Sequence, residues 1–360
     1  MTPSIEHLPD IIAALPLDTQ RICNRIFSVD VVTGILCPPE AMLPWIERQF
    51  GSLEKVQEQT VVRVTNLISL EQSIFNPLRS LRPRNFGRLK TNDMPAARQG
   101  PDIFSDPLEH TTANPFGRVE GKYCITAGNI ASCEQYHSVI IFNNADPLDF
   151  GYTEVADYLD TGWRWMQVAH SYDPAARYGL LLWNCNSRAG ASIPHGHAQV
   201  VLGRNSHYVR IEYLRKAAGD YKSSYGNSYF DDLFTVHRAL GLGFAAGGAK
   251  VMACLSPLKL NEVMILADSL SVDTKEAVYH VLACFRERLN VTSFNLGIVF
   301  PPLDNVPGWE GFPFIARMLD RGDAGEISSD ISAMEFWGAN VISSDPFKTA
   351  AALRAAFKAG

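Results

Sequence analysis

The hexapeptide Pro194-His195-Gly196-His197-Ala198-Gln199 brings two of the nine histidines within two positions of each other. It follows a Gly/Ser turn and continues into the apolar residues 200–202. Side chains alternate between the two faces of a strand. If extended structure begins near Pro194, then His195, His197 and Gln199 lie on one face. We therefore take this stretch as the centre of the fold.

The composition is that of a globular protein with a large core, since 46% of the 360 residues are hydrophobic. A net charge of -6 with scattered Lys and Arg offers no basic surface, which excludes a nucleic acid as partner. The N-terminus lacks a basic start and its apolar stretch is broken by Pro9 and Pro16, so no signal peptide is predicted. Residues 240–255 are too interrupted to predict a membrane span. Seven cysteines without a CxxC pair indicate a reducing compartment, and we predict a cytoplasmic protein.

Secondary-structure patterns recur in the same order in two parts of the chain. The first part shows strand patterns at 123–126, 138–142 and 179–183, and an amphipathic helix at 153–172. The second shows strand patterns at 250–255, 262–267 and 293–300, and a helix at 275–289. Where the first part has the histidine hexapeptide and its loop, the second has Pro301-Pro302-Leu303-Asp304. The repeated order favours an internal duplication.

The histidine pair is compatible with three roles. Both side chains can be satisfied core residues, or metal ligands, since imidazole is the commonest transition-metal ligand. A metal site needs further ligands, and neither a CxxC nor a HxxxH partner occurs in the chain. The third role is nucleophilic attack by one imidazole on phosphorus, with neighbouring donors holding the phosphoryl oxygens. Ser192, the turn at Gly190 and Gln199 supply donors suited to that chemistry.

The segment from Asn184 to Gln199 resembles the active-site signature of the histidine-triad (HIT) superfamily. The marks are an Asn eleven residues before the first His, a small-Gly-small-Ser turn, and Pro-His-x-His-x-Gln. The last of these is typical of the branch that contains galactose-1-phosphate uridylyltransferase and the nucleotide phosphorylases. The resemblance implies that His197 is the nucleophile, that His195 and the backbone near Asn184 hold its ring, and that Gln199 and Ser192 bind the phosphoryl oxygens.

Other positions resemble the same branch more distantly. Arg79 and Arg82 stand in an Arg-x-x-Arg-Pro motif that implies contacts with nucleotide phosphates. Asn129 falls where the family has an Asn near the ribose, although Ile130 replaces the Asp that usually follows. His137 is at a position that is commonly His in the family, and either core packing or a place beside the ribose fits it. The resemblance also implies that Asn295 and Glu335 face a sugar from the second half, and that residues 334–347 form the closing strand and helix.

The chain departs from the family at a zinc site. Uridylyltransferases often bind zinc through a CxxC after the Arg-Pro motif, a later His and the first His of the pair. This chain has Asp102-Ile103-Phe104-Ser105 in place of the CxxC and Asp146 near the later His. We therefore predict no metal and no other cofactor, and a His195 that is free to orient its neighbour.

These patterns together predict an α+β fold of two tandem HIT-like halves, with mostly antiparallel sheet and flanking helices. Residues 1–105 form an N-terminal lead-in that bears the arginines, 106–207 the catalytic half, and 208–360 a second half without the histidine motif.

The predicted function is transfer of a nucleoside monophosphate from a nucleoside diphosphate sugar to phosphate or a sugar 1-phosphate, through a covalent nucleotidyl-histidine. A phosphorylase of dinucleoside polyphosphates and a non-catalytic nucleotide-binding relative are the alternatives. The resemblance implies a homodimer. The sequence does not choose the base, the sugar or the acceptor.

Overall fold

A computed structural model describes residues 3–82, 102–325 and 331–359 of the chain. Pro83 of the arginine motif lies outside these ranges. In the described residues the α-helices are α1 (Leu8–Ala13), α2 (Leu17–Ile26), α3 (Leu43–Phe50), α4 (Leu53–Gln57), α5 (Pro107–His110), α6 (Tyr152–Tyr172), α7 (Val209–Tyr225), α8 (Tyr229–Ala239), α9 (Val272–Glu287) and α10 (Pro346–Ala359). None of them combines the length and apolar composition needed to cross a bilayer.

The strands form two sheets. They are β1 (Phe27–Ile35), β2 (Glu58–Asn66), β3 (Gln72–Phe75), β4 (Cys124–Gly128), β5 (Tyr136–Phe142), β6 (Tyr178–Cys185), β7 (His197–Gly203), β8 (Gly243–Ala246), β9 (Ala249–Ala253), β10 (Leu260–Ala267), β11 (Ser293–Val299), β12 (Phe314–Gly322) and β13 (Ala339–Ile342). A four-stranded sheet has the order β1-β2-β3-β13, and a nine-stranded sheet has the order β4-β5-β7-β6-β11-β12-β10-β9-β8. All pairings are antiparallel except that of β13 with β3. The α+β fold with mostly antiparallel sheet is therefore confirmed.

The large sheet contains the same strand order twice. In the first part the order β4-β5-β7-β6 is built from the sequence β4, β5, α6, β6, β7, and β9-β10-β12-β11 repeats it from β9, β10, α9, β11, β12. The two sets meet where β6 pairs with β11, so the sheet continues across them. The division of the chain at residues 105 and 207 stays a prediction.

The strand equivalent to the histidine strand was not predicted. It is β12, which begins at Phe314, well after the Pro301–Asp304 segment. Two charged residues, Arg317 and Asp320, interrupt its apolar pattern. The sheet accommodates Arg317 because its guanidinium forms ion pairs with Glu71 and with the fully buried carboxylate of Glu262. Helix α7 was also missed, since it buries only Tyr221 and so lacks an apolar stripe.

Helix α6 packs against the strands that carry the site. Val155, Leu159 and Met166 are buried, as their spacing predicts. Trp163 is half-buried, and its ring stacks on Phe300 with centroids 5.2 Å apart. Burial of such side chains contributes about 1.5–3 kcal/mol each. The helix therefore fixes the sheet from one face and leaves the opposite face for a site.

Candidate active site

His197 is the first residue of β7, and its imidazole is buried with only 6% exposed. Its Nδ1 lies 2.8 Å from the carbonyl oxygen of His195. A carbonyl can only accept, so Nδ1 carries the proton and Nε2 keeps its lone pair. Burial lowers the pKa of His197 below its ordinary 6.5; the hydrogen bond to His195 opposes this, and the nearby charge of His195 adds to it. The ring is thus a neutral base with its tautomer fixed, the form that nucleophilic attack requires.

His195 lies before β7 rather than on it, so the predicted row of three side chains on one strand face is reduced to His197 and Gln199. Its Nδ1 is 2.7 Å from Oδ2 of Asp102, and its Nε2 is 2.8 Å from the carbonyl oxygen of Phe142. The ring is therefore engaged at both nitrogens. His195 meets His197 through its peptide carbonyl, and this carbonyl, not the backbone near Asn184, bonds the ring of His197.

Gly196 allows the backbone between the two histidines to pass close to residues 142–147. Its N–H donates to Ala145 and its carbonyl accepts from Phe142. A Cβ at this position would lie 2.8 Å from the carbonyl oxygen of Asn144 and 2.9 Å from the ring of Phe142. Because the first of these atoms is backbone, the hexapeptide has room only for glycine between its histidines.

Gln199 is held by His137 on the neighbouring strand β5. The backbone N–H of Cys133 donates to Nδ1 of His137 over 3.2 Å, so the proton of this ring is on Nε2. That Nε2 lies 2.9 Å from Oε1 of Gln199. Burial lowers the pKa of His137, which keeps the ring neutral although the hydrogen bond with Gln199 opposes this. With its oxygen occupied by His137, the Gln199 amide has its NH₂ group left to donate to a ligand.

Asn129 lies beside the same cluster, and its backbone N–H donates to the His137 carbonyl. Its Nδ2 is 3.1 Å from Nε2 of His137, but both atoms are donors in this tautomer, so the two side chains touch without a hydrogen bond. Oδ1 of Asn129 accepts from the backbone of Ala131. The structure therefore connects Asn129 and Gln199, two residues singled out separately in the sequence, through His137.

Asn184 and Asn295 lie opposite each other on the two central strands β6 and β11. The Asn295 amide donates to Oδ1 of Asn184 over 2.7 Å and to the carbonyl of Ala189 over 2.8 Å. Arg321 of β12 donates to the Asn295 oxygen. These bonds attach the Gly190 loop to the second part of the sheet. Asn184 and Asn295 therefore hold the loop in position.

The Gly190 loop has an exposed side-chain donor, the Ser192 hydroxyl, while the backbone N–H groups of Gly190 and Ala191 bond within the loop. Gly190 adopts a positive φ of 98°, where a non-glycine residue would be strained, and a Cβ there would meet nothing within 4 Å. Ser192 follows it and is exposed. The carbonyl of Arg321 accepts from Arg188, one more connection between this loop and β12.

The other predicted residues line two cavities. Arg79 and Arg82 border a groove of about 500 Å³ with Trp45 and Phe50, and none of the residues around His197 lines it. Burial and the charge of Arg82 lower the pKa of Arg79. Glu335 pairs with Lys259 over 2.7 Å at the wall of a second cavity of about 520 Å³, described below. The structure does not bring Arg79 or Arg82 into the group around His197.

No group of three or more His, Cys, Asp or Glu side chains suited to a metal ion occurs in residues 3–82, 102–325 and 331–359. Asp102 belongs to the segment that replaces the CxxC, and its carboxylate is bonded to Nδ1 of His195. The absence of zinc stays a prediction, which metal analysis of the purified protein tests.

Sequence reasoning missed several residues of the site. Phe104 packs its ring edgewise against both imidazoles, with centroids 5.9 Å from His195 and 5.4 Å from His197. Asp102 was identified only as part of the segment that replaces a zinc-binding CxxC, and Arg321 was not identified. The separation of 93 residues between Asp102 and His195 carries no local sequence signal.

The fold and the site together define a class: a protein with a doubled antiparallel sheet and a buried, neutral histidine at the start of an interior strand. Solved structures with a similar fold include a phosphorylase and a uridylyltransferase. The chain is similar to an ADP-glucose phosphorylase from Arabidopsis thaliana with bound ADP-glucose (TM-score 0.61, 15% identity, 80% of this chain and 96% of that one). It is also similar to a GalT-like protein from A. thaliana (TM-score 0.60, 15% identity, 81% and 97%). A uridylyltransferase gives a TM-score of 0.57 at 14% identity over 83% and 99% of the two chains.

No protein-family model matches the sequence, and no curated protein sequence matches it significantly. At 14–15% identity the likeness concerns the fold. The chain has the fold of the uridylyltransferase and ADP-glucose phosphorylase structures, and the resemblance predicted from Asn184–Gln199 is confirmed at that level.

Proposed function

We propose that this protein is a nucleotidyltransferase that moves a nucleoside monophosphate from a nucleoside diphosphate sugar to phosphate or a sugar 1-phosphate. The observation that carries the proposal is the bond from His197 Nδ1 to the carbonyl of His195, which directs the Nε2 lone pair away from the backbone. The fold of enzymes such as ADP-glucose phosphorylase supports the same choice.

In the first step Nε2 of His197 attacks the α-phosphorus, and the bond from that phosphorus to the bridging oxygen breaks. The leaving group departs as a phosphate or sugar phosphate with the electron pair of the broken bond. The ring becomes cationic as its lone pair is used, and the hydrogen bond from Nδ1 to the His195 carbonyl strengthens with that charge. In the second step an acceptor phosphate oxygen attacks the same phosphorus and the N–P bond breaks, which restores neutral His197.

Gln199 binds the phosphoryl oxygens in both steps. Its NH₂ group donates and, unlike an imidazole, does not exchange protons at neutral pH. Donors aimed at developing negative charge commonly accelerate such reactions by on the order of 100-fold or more. A neutral amide thus suits transfer to a second phosphate better than hydrolysis.

We place the sugar phosphate part of the substrate toward the second half of the sheet. Directly paired residues have side chains on one face, and the registers Gln199–Leu182, Leu182–Gly297 and Gly297–Arg317 extend that face from β7 to β12. Three strand spacings cover roughly 14 Å. There the cavity of about 520 Å³ begins, with Arg317, Arg321 and Glu335 among its lining residues. A pyrophosphate over β6 and β11 places a sugar at its entrance.

The function is tested by incubating the protein with nucleoside diphosphate sugars and dinucleoside polyphosphates, with and without phosphate. We expect phosphate-dependent release of a nucleoside diphosphate and a sugar phosphate, and a nucleotidyl adduct on His197 by mass spectrometry. The adduct mass identifies the base. Lack of both turnover and adduct with every compound would leave a nucleotide-binding protein without catalysis.

Activity is expected to persist at acidic pH. The neutral imidazole is the reactive form, and burial lowers the pKa of His197 from 6.5, so more than half of it is neutral at pH 6.5, where an exposed imidazole would be half protonated. The acid limb of kcat/KM, which reports the free enzyme, is therefore expected below pH 6.5. A limb centred at or above pH 6.5 would contradict this account of His197.

Replacing His137 by leucine is expected to lower kcat by roughly 10-fold with little change in KM. The variant removes the donor that holds Oε1 of Gln199, so the amide is free to turn its oxygen toward the phosphate. His137→Gln offers an amide donor and is expected to recover part of the rate. Equal rates in both variants, measured by steady-state kinetics, would show that His137 only fills space.

The proposal includes a homodimer and a cytoplasmic location. Light scattering of the purified protein tests the first, and fractionation of cells that express the full chain tests the second. A monomer with full activity would remove the dimer from the proposal without affecting the role of His197.

A further inference from the structure

Asp102 is joined to the histidine hexapeptide although 93 residues separate it from His195. Its Oδ2 lies 2.7 Å from Nδ1 of His195, whose side chain is only 6% exposed. Its Oδ1 accepts the backbone N–H of Phe104 over 3.0 Å. One carboxylate therefore both pairs with the first histidine and closes the turn that presents Phe104.

The hydrogen bonds of His195 fix its ring completely. The carbonyl of Phe142, 2.8 Å from Nε2, can only accept, so Nε2 carries a proton. The carboxylate of Asp102 accepts from Nδ1 on the opposite side of the ring. A ring bonded at both ends is held in one orientation.

The backbone of His195 in turn determines the tautomer of His197. Its carbonyl is the partner of His197 Nδ1 at 2.8 Å. The tautomer of an imidazole is set by the bond that one nitrogen makes, which leaves the other as the reactive one. The Phe104 ring packs edgewise against both imidazoles.

We propose that Asp102 is a positioning residue of the active site: through its ion pair with His195 it fixes the His195 carbonyl and so holds His197 in the Nδ1-protonated tautomer. This inference rests on the proposed function, because it assigns that tautomer to the attacking base. Asp102 acts through His195 and through Phe104, and it does not contact the reacting phosphorus in this role.

The test compares Asp102→Asn with Asp106→Asn in the full-length protein. Asparagine keeps the shape of Asp102 and an acceptor for the Phe104 N–H, but it removes the charge that faces His195. Asp106 is exposed at the start of α5 and makes no side-chain capping bond, so it is a matched control. We expect kcat of Asp102→Asn to fall roughly 10- to 100-fold with KM within about 2-fold, and Asp106→Asn to equal wild type.

A second measurement does not depend on turnover. NMR of ¹⁵N-histidine-labelled protein, assigned with a His197→Ala sample, reports which ring nitrogen of His197 carries the proton. We expect Nδ1–H in wild type and Asp106→Asn, and a mixture of tautomers in Asp102→Asn. Thermal unfolding of the three proteins identifies any general loss of stability.

The inference is overturned if Asp102→Asn keeps the wild-type kcat, or if its rate falls together with unfolding while the His197 tautomer is unchanged. If wild type transfers no nucleotide, the proposed function fails, and the tautomer of His197 in Asp102→Asn still decides the role of Asp102.

Discussion

His197→Ala is expected to lose nucleotidyl transfer by roughly four orders of magnitude or more. The variant removes the atom that forms the N–P bond, and no other described side chain around the site offers a lone pair in its place: His195 is bonded at both nitrogens and His137 donates to Gln199. Initial rates with the donor found in the substrate panel measure the loss, and mass spectrometry checks that the adduct disappears.

The control for this prediction is His110→Ala. His110 is exposed at the end of α5, and among the described residues its side chain makes one hydrogen bond, between Nδ1 and the carbonyl of Asp106. It is expected to keep the wild-type rate. A His197→Ala protein that is folded by circular dichroism and turns over at the wild-type rate would refute a covalent mechanism on this residue.

Gln199→Glu is expected to lower kcat by on the order of 100-fold or more, at least as much as Gln199→Ala. Glutamate keeps an oxygen for the Nε2–H of His137. It replaces the NH₂ donor by a second oxygen, which repels the phosphoryl group as negative charge develops. The two variants therefore separate the loss of a donor from added repulsion, and steady-state kinetics at saturating donor substrate measures both.

Gln199→His gives the matching gain-of-function test. An imidazole at this position exchanges protons near neutral pH, so we expect a larger share of the nucleotide to be released to water instead of to the acceptor. The ratio of free nucleoside monophosphate to transfer product measures this share. An unchanged ratio would show that the neutral amide does not control the choice between transfer and hydrolysis.

The elements that carry the site followed from local sequence pattern. The alternating and apolar runs predicted β4, β5, β6 and helix α6, because patterns of period 2 and period 3.6 depend only on neighbouring residues. Strand β12 and helix α7 were not predicted because their sequences lack such a pattern. Arg317 interrupts the apolar run of β12, where it pairs with two carboxylates, and α7 has no apolar stripe because it buries only Tyr221.

The repeated order of strands was visible in the sequence, but not the way in which the two sets join. Only the pairing of β6 with β11 shows that they form one sheet, with Asn184 opposite Asn295. The same pairing links the Gly190 loop to β12 through Asn295 and Arg321.

The sequence by itself determined the reactive strand: the spacing in Pro194–Gln199 places His197 and Gln199 on one face, since alternation along a strand is a local property. Only the tertiary structure decided their chemical states. The proton on His197, the orientation of the Gln199 amide and the engagement of His195 depend on Asp102, His137 and the carbonyl of Phe142. These partners are distant in sequence, and hydrogen-bond direction is set by which groups folding brings within 3 Å.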